Sequence, residues 1–203
     1  MTDILSRWRA GQTFDEHFSG ATEAKLASIA RSIRSRASVP DDIATRLHAV
    51  GPGWHLLVLS ADWCADAVSS LPWVEALAAT TPNVAMRILD RDANLDLMDA
   101  HLTNGRSRSI PVVILYDAHG VERGWWGPRP SALQAWVMSP EAQAMPAPER
   151  FAEQRRWYVA DGGRSTLEEL TALIEQAARA EARHSAADRR PRGDPVQSVR
   201  SGA

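Results

Sequence analysis

The stretch WHLLVLSADWCADA, Trp54 to Ala67, decides the fold. Trp54 to Leu59 is a short apolar run, with Gly51-Pro52-Gly53 before it and a polar turn after it. A run of that length between chain breakers is a buried strand. Beyond the turn, Cys64, Val68, Leu71, Val74 and Ala78 recur at helical spacing, so a helix follows, with Pro72 inside it. Cys64, the chain's one cysteine, therefore stands where a strand passes into a helix.

Upstream, the first fifty residues read as helical. Leu26, Ile29, Ala30, Ile33 and Ala37 form one apolar stripe. Pro40-Asp41-Asp42 ends that helix and offers an N-cap to the next, which carries Ile43, Leu47 and Val50. Downstream, Val84 to Leu89 is a second strand, closed by Asp90-Arg91-Asp92. Leu95, Met98 and Leu102 mark a short helix that ends at Asn104-Gly105. Ile110 to Tyr116 and Val121 to Trp126 flank the turn Asp117-Ala118-His119-Gly120, the pattern of an antiparallel hairpin. Ser131 with Gln134 and Thr166 with Glu169 have the spacing of capping boxes that open two further helices. The segment between, Pro140 to Tyr158, is helical but weakly patterned, and from His184 onward almost nothing is apolar.

The order β-α-β-α-β-β-α predicts an α/β fold with one mixed four-stranded sheet flanked by helices. Four regions are expected. They are an N-terminal helical extension (1–53), the α/β domain (54–138), a C-terminal helical extension that packs on it (139–183), and a disordered basic tail (184–203).

Composition excludes several functions. With 203 residues the chain holds one to one and a half domains of about 150 residues. Its net charge of −2 gives no global attraction to nucleic acid or to an anionic membrane, so neither is expected as a partner. One cysteine cannot close an internal disulfide or build a multi-cysteine zinc site, and the six histidines do not cluster, so no metal and no cofactor are expected. No segment has the uninterrupted apolar run of an export signal or of a membrane span, which makes the cytoplasm the expected location. Arginine supplies nearly all the positive charge, with Lys25 the one lysine, a bias that suggests a GC-rich bacterial source.

Several motifs, in order, resemble the thioredoxin family. Ala61-Asp62-Trp63-Cys64 is similar to the A-E-W-C that leads into the thioredoxin active site, and Pro72 stands where those proteins carry a helix proline. Ser109-Ile110-Pro111 is similar to the I-P segment whose cis proline faces the active-site cysteine. Gly120 and Gly127 match the hairpin turn and the glycine after its second strand. The likeness covers about residues 54–138. With Leu89-Asp90-Arg91-Asp92, Leu102-Thr103-Asn104-Gly105 and Trp126-Gly127-Pro128-Arg129-Pro130 included, the likeness is also to a bacterial thioredoxin-like subgroup that often bears C-G-D-C. It implies a thioredoxin fold, with Cys64 as the nucleophile and a substrate groove formed by Trp63, Asp66, Ile110 and Pro111.

Two departures cut against dithiol chemistry. The motif is Cys64-Ala65-Asp66-Ala67, so alanine replaces the second cysteine, and Val58 occupies the place of the buried acid. A cysteine at a helix start is biased toward thiolate by unpaired backbone N–H groups and the macrodipole, while Asp66 opposes this. Two readings follow. One is a monothiol oxidoreductase, whose partner is a protein or low-molecular-weight thiol or disulfide and whose mixed disulfide a second molecule must resolve. The other is a redox-inactive binding or adaptor module that keeps the groove. Iron–sulfur carriage, by analogy with monothiol glutaredoxins, ranks last, because the C-G-F-S form is absent.

Overall fold

A computed structural model describes residues 3–51 and 53–188. Four helices come first: α1 (Ile4–Ala10), α2 (Phe14–Ser19), α3 (Ala24–Arg34) and α4 (Asp41–His48). The central unit is β1 (Trp54–Ser60), α5 (Ala65–Thr80), β2 (Val84–Asp90), α6 (Leu95–Ala100), β3 (Val112–Tyr116), β4 (Glu122–Trp126) and α7 (Ser131–Val137). Then come α8 (Pro140–Ala144), α9 (Ala147–Asp161) and α10 (Arg164–Asp188).

The sheet has the order β2-β1-β3-β4. β1 runs parallel to β2, as the intervening helix requires, and antiparallel to β3, which pairs with β4 as a hairpin. β1 and β3 are the middle strands, which explains their near-continuous apolar sequence: Leu56 to Leu59 and Val112 to Leu115 are each fully buried. The hairpin turn is built by Asp117, whose carboxylate accepts the backbone N–H groups of His119 at 2.8 Å and Val121 at 3.0 Å. In β4 the alternation divides the tryptophan pair, leaving Trp126 buried and Trp125 exposed at its neighbour position.

The flanking helices share the core of the sheet. Phe14, Phe18, Ile43 and Leu47 from the N-terminal helices, and Leu167, Leu170 and Ile174 from α10, are buried in the same apolar cluster as β1 and α5. Gln12 pairs with Ile88 on the free edge of β2, covering an edge that would otherwise be open to another chain. Arg7 reaches Asp96 at 2.6 Å, and the Trp8 indole donates to the Leu56 carbonyl at 3.3 Å.

Several local signals resolve differently in three dimensions. α10 begins at Arg164, so Thr166 lies inside it and is not an N-cap. Its expected box partner, Glu169, instead crosses to α7, where one carboxylate oxygen accepts Ser131 N–H at 2.8 Å and the other accepts the Trp126 indole at 2.6 Å. Pro130 caps α7, and Gln134 accepts from Arg129, so Ser131 and Gln134 form no box. Pro40 is the N-cap of α4, with Asp41 and Asp42 in its first turn. A capping box does occur at α2, between Thr13 and Glu16, whose T-x-x-E spacing is its signal in the sequence. At the C-terminal end, α10 runs to Asp188, so residues 184–188 are helical where a disordered tail is expected. The remainder of that expected tail, 189–203, lies outside the described residues.

Candidate functional site around Cys64

β1 ends at Ser60, and the turn through Ala61 to Trp63 delivers Cys64 to the N-cap of α5. The turn is tied from outside, because Asp62 accepts the Thr22 backbone N–H at 2.6 Å and the Thr22 hydroxyl at 2.9 Å. Across from it, the Ile110–Pro111 peptide is cis, and both residues are buried. Gly127 makes that approach feasible: it has φ +133°, and a Cβ there would stand 2.2 Å from the Pro111 carbonyl oxygen.

Cys64 is 7% exposed. Its thiol donates to the Ile110 carbonyl at 3.3 Å, while the sulfur accepts the Ala67 N–H at 3.5 Å. Burial raises its pKa above the ordinary cysteine value; the Ala67 N–H works in the opposite direction, and the Asp66 charge adds to the rise. Sulfur is thus held as S–H by two agencies: desolvation of the thiolate, and a carbonyl that only the protonated form can satisfy. Ala67, where a resolving thiol would sit, is fully buried. Val58 is fully buried on β1, paired with Ile88 and Val113, so the site has no internal acid at that place.

The groove residues do not share one surface. Trp63 is 49% exposed, with the Arg91 guanidinium 5.1 Å from its ring, so it stands beside the cysteine as a rim. Asp66 turns inward. Arg129 pairs with it at 2.6 Å, and the Tyr158 hydroxyl donates to it at 3.0 Å. Burial raises the Asp66 pKa, opposed first by the Arg129 charge and then by the Arg129 and Tyr158 hydrogen bonds. Asp66 is therefore a structural anchor between α5, the loop before α7, and α9. Its charge is already matched, which weakens its expected action against a thiolate. Arg129 was within the Gly127-Pro128-Arg129-Pro130 motif, but nothing local in the sequence connects it, or Tyr158, to Asp66. Among the described residues no group of three or more His, Cys, Asp or Glu side chains is placed to hold a metal ion.

A mixed sheet in this order, with a cysteine at the N-cap after β1 and a cis proline facing it, defines the thioredoxin fold. A thioredoxin family model matches residues 11–146, and the chain belongs to that family. Among solved structures, a protein of unknown function from Pseudomonas aeruginosa is similar at 20% identity, with a TM-score of 0.67 over 87% of this chain and 99% of that one. An HIV epitope-scaffold is similar at 18% identity, with a TM-score of 0.65 over 86% of this chain and 99% of that one. Both cover more than the sheet and its covering helices, so the flanking helices belong to the shared fold. No curated protein matches the chain.

Proposed function

We propose that this chain is a thioredoxin-fold binding module that holds Cys64 as a neutral thiol, and that it does not turn over disulfides. One observation carries the reading: the buried thiol donates to the Ile110 carbonyl, with alanine at the resolving position. Thiol–disulfide exchange needs a thiolate to attack one sulfur of a disulfide and expel the other as thiolate. Here the attacking form is disfavoured, and the adduct would need an external thiol to release it. Trp63, 49% exposed at the rim beside the buried thiol, supplies the binding element.

Iodoacetamide labelling of the folded protein across pH 6–10 tests the proposal. Cys64 should stay slower than an unfolded control throughout, with a midpoint above about 8.5. A midpoint below that value, or mixed disulfide with glutathione disulfide at neutral pH, would establish the monothiol reading instead. That reading has one contact in its favour, the Ala67 N–H directed at the sulfur.

A further inference from the structure

A cavity of about 330 Å³ lies between α3, α5 and α9. Small-ligand sites occupy roughly 300–1,000 Å³, so this one suits a small molecule. Leu26, Ile29 and Ile33 of α3, Val68 and Trp73 of α5, and Val159 of α9 form its apolar wall. Ile29 is 40% exposed and Val159 is 83% exposed, so apolar side chains border a hollow that water reaches. Neither Cys64 nor Pro111 lines it, although Ala65, the residue after Cys64, does, so the hollow borders the thiol region without including the thiol.

Its charge is of one sign. Arg36, in the turn after α3, and Arg155, on α9, are the charged residues of the wall, and no carboxylate lines it. Both arginines are exposed. The two hydroxyl groups of the lining are already engaged: Ser69 donates to the Ala65 carbonyl at 2.9 Å, and Tyr158 donates to Asp66 at 3.0 Å. The nearby acid, Asp66, is matched by Arg129. What remains for an incoming molecule is hydrocarbon surface and guanidinium.

We infer that this cavity binds an anionic amphiphile, an unbranched aliphatic carboxylate of about ten carbons, with its chain among the α3 and α5 side chains and its carboxylate at arginine. The chain's own residues 189–203 are a poor alternative occupant. They contain Arg189, Arg190, Arg192 and Arg200 against one acid, Asp194, and so have the wrong sign for this wall.

Calorimetric titration of the full-length protein, well below micelle concentrations, tests the inference. Decanoate should bind saturably, one per chain. Octanoate, two methylenes shorter, should bind about fifteenfold more weakly, because each buried methylene contributes roughly fourfold. Decyltrimethylammonium, with a chain one carbon longer and the opposite charge, should bind at least tenfold more weakly than decanoate. Arg155→Glu and Ile29→Glu, both at exposed positions, should each weaken decanoate at least tenfold while leaving circular dichroism unchanged. Cys64→Ala should bind like the parent, so the outcome here is independent of the thiol reading. Absence of saturable decanoate binding to the parent protein overturns the proposal. So does equal binding of the cationic amphiphile, or indifference to both substitutions. A ligand-free dimer abolished by Ile29→Glu would overturn it by assigning the cavity to a second copy.

Discussion

Asp66 and Arg129 show how a single pair fixes the site. Their side chains are 13% and 18% exposed, so each charge depends on the other for what water would have supplied. Asp66 has a pKa raised by burial. A raised value means that its favourable contribution to stability is present at low pH, where the carboxyl is protonated, and is lost as pH rises through the folded value. Arg129 limits that loss. Arg129→Met should therefore destabilise the fold by about 3–5 kcal/mol at pH 7, the cost of leaving a buried charge alone. The deficit should shrink on approach to pH 4, as Asp66 gains a proton. Urea unfolding at the two pH values measures this, and an equal deficit at both would exclude Asp66 as its cause. Cys64 follows the same sign: its raised pKa makes the thiol form the native one, and stability linked to it falls only in alkaline solution.

Between elements, the joints are made by side chains that local patterns had assigned elsewhere. Glu169 is the main case. From α10 it caps the N-terminus of α7 through the Ser131 N–H and satisfies the buried Trp126 indole. Glu169→Ala should cost about 1–3 kcal/mol, since a cap is lost and a buried donor is left without a partner. Glu169→Gln, which keeps an acceptor for one of these donors, should cost less. Chemical denaturation of the two variants checks the ranking. The junction of α9 and α10 has a different requirement: Gly163 has φ +76°, and a Cβ there would fall 2.0 Å from the Trp73 ring, so only glycine lets the chain turn from α9 into α10 against Trp73 of α5.

For the whole molecule, the helices outside the thioredoxin sheet are parts of its core. The apolar stripes before Trp54 and after Thr166 imply that at least one packs on the sheet domain or on the other stripe, and that removing residues 1–50 lowers the melting temperature by several degrees. The burial of Phe14, Phe18, Ile43 and Leu47 implies a larger effect. Losing four large core side chains, each worth about 2–5 kcal/mol, exceeds the roughly 5–15 kcal/mol total stability of a typical domain or nearly so. A chain starting at residue 51 should therefore not fold cooperatively. A chain ending at residue 146 should fail in the same way, because it lacks Leu167, Leu170 and Ile174. Thermal melts of both truncations provide the check; a sharp transition in either would show that the removed helices are dispensable. Among the described residues, no helix is long and apolar enough to cross a membrane.

What the sequence by itself determined is whatever rests on near neighbours in the chain. The middle strands were legible because a strand buried on both faces must be apolar throughout. The hairpin was legible because its turn chemistry is local. The place of Cys64 at a helix start followed from a strand meeting a helical period, and the likeness to thioredoxin followed from motifs of a few residues each. Tertiary structure decided what depends on partners far along the chain. Whether Cys64 is thiolate or thiol depends on burial and on the Ile110 carbonyl, 46 residues away. The role of Asp66 depends on Tyr158, 92 residues away. The partners of Glu169 lie 38 and 43 residues back. Capping patterns and helix-start electrostatics act over a single turn, whereas desolvation and ion pairing act wherever the folded chain brings groups together.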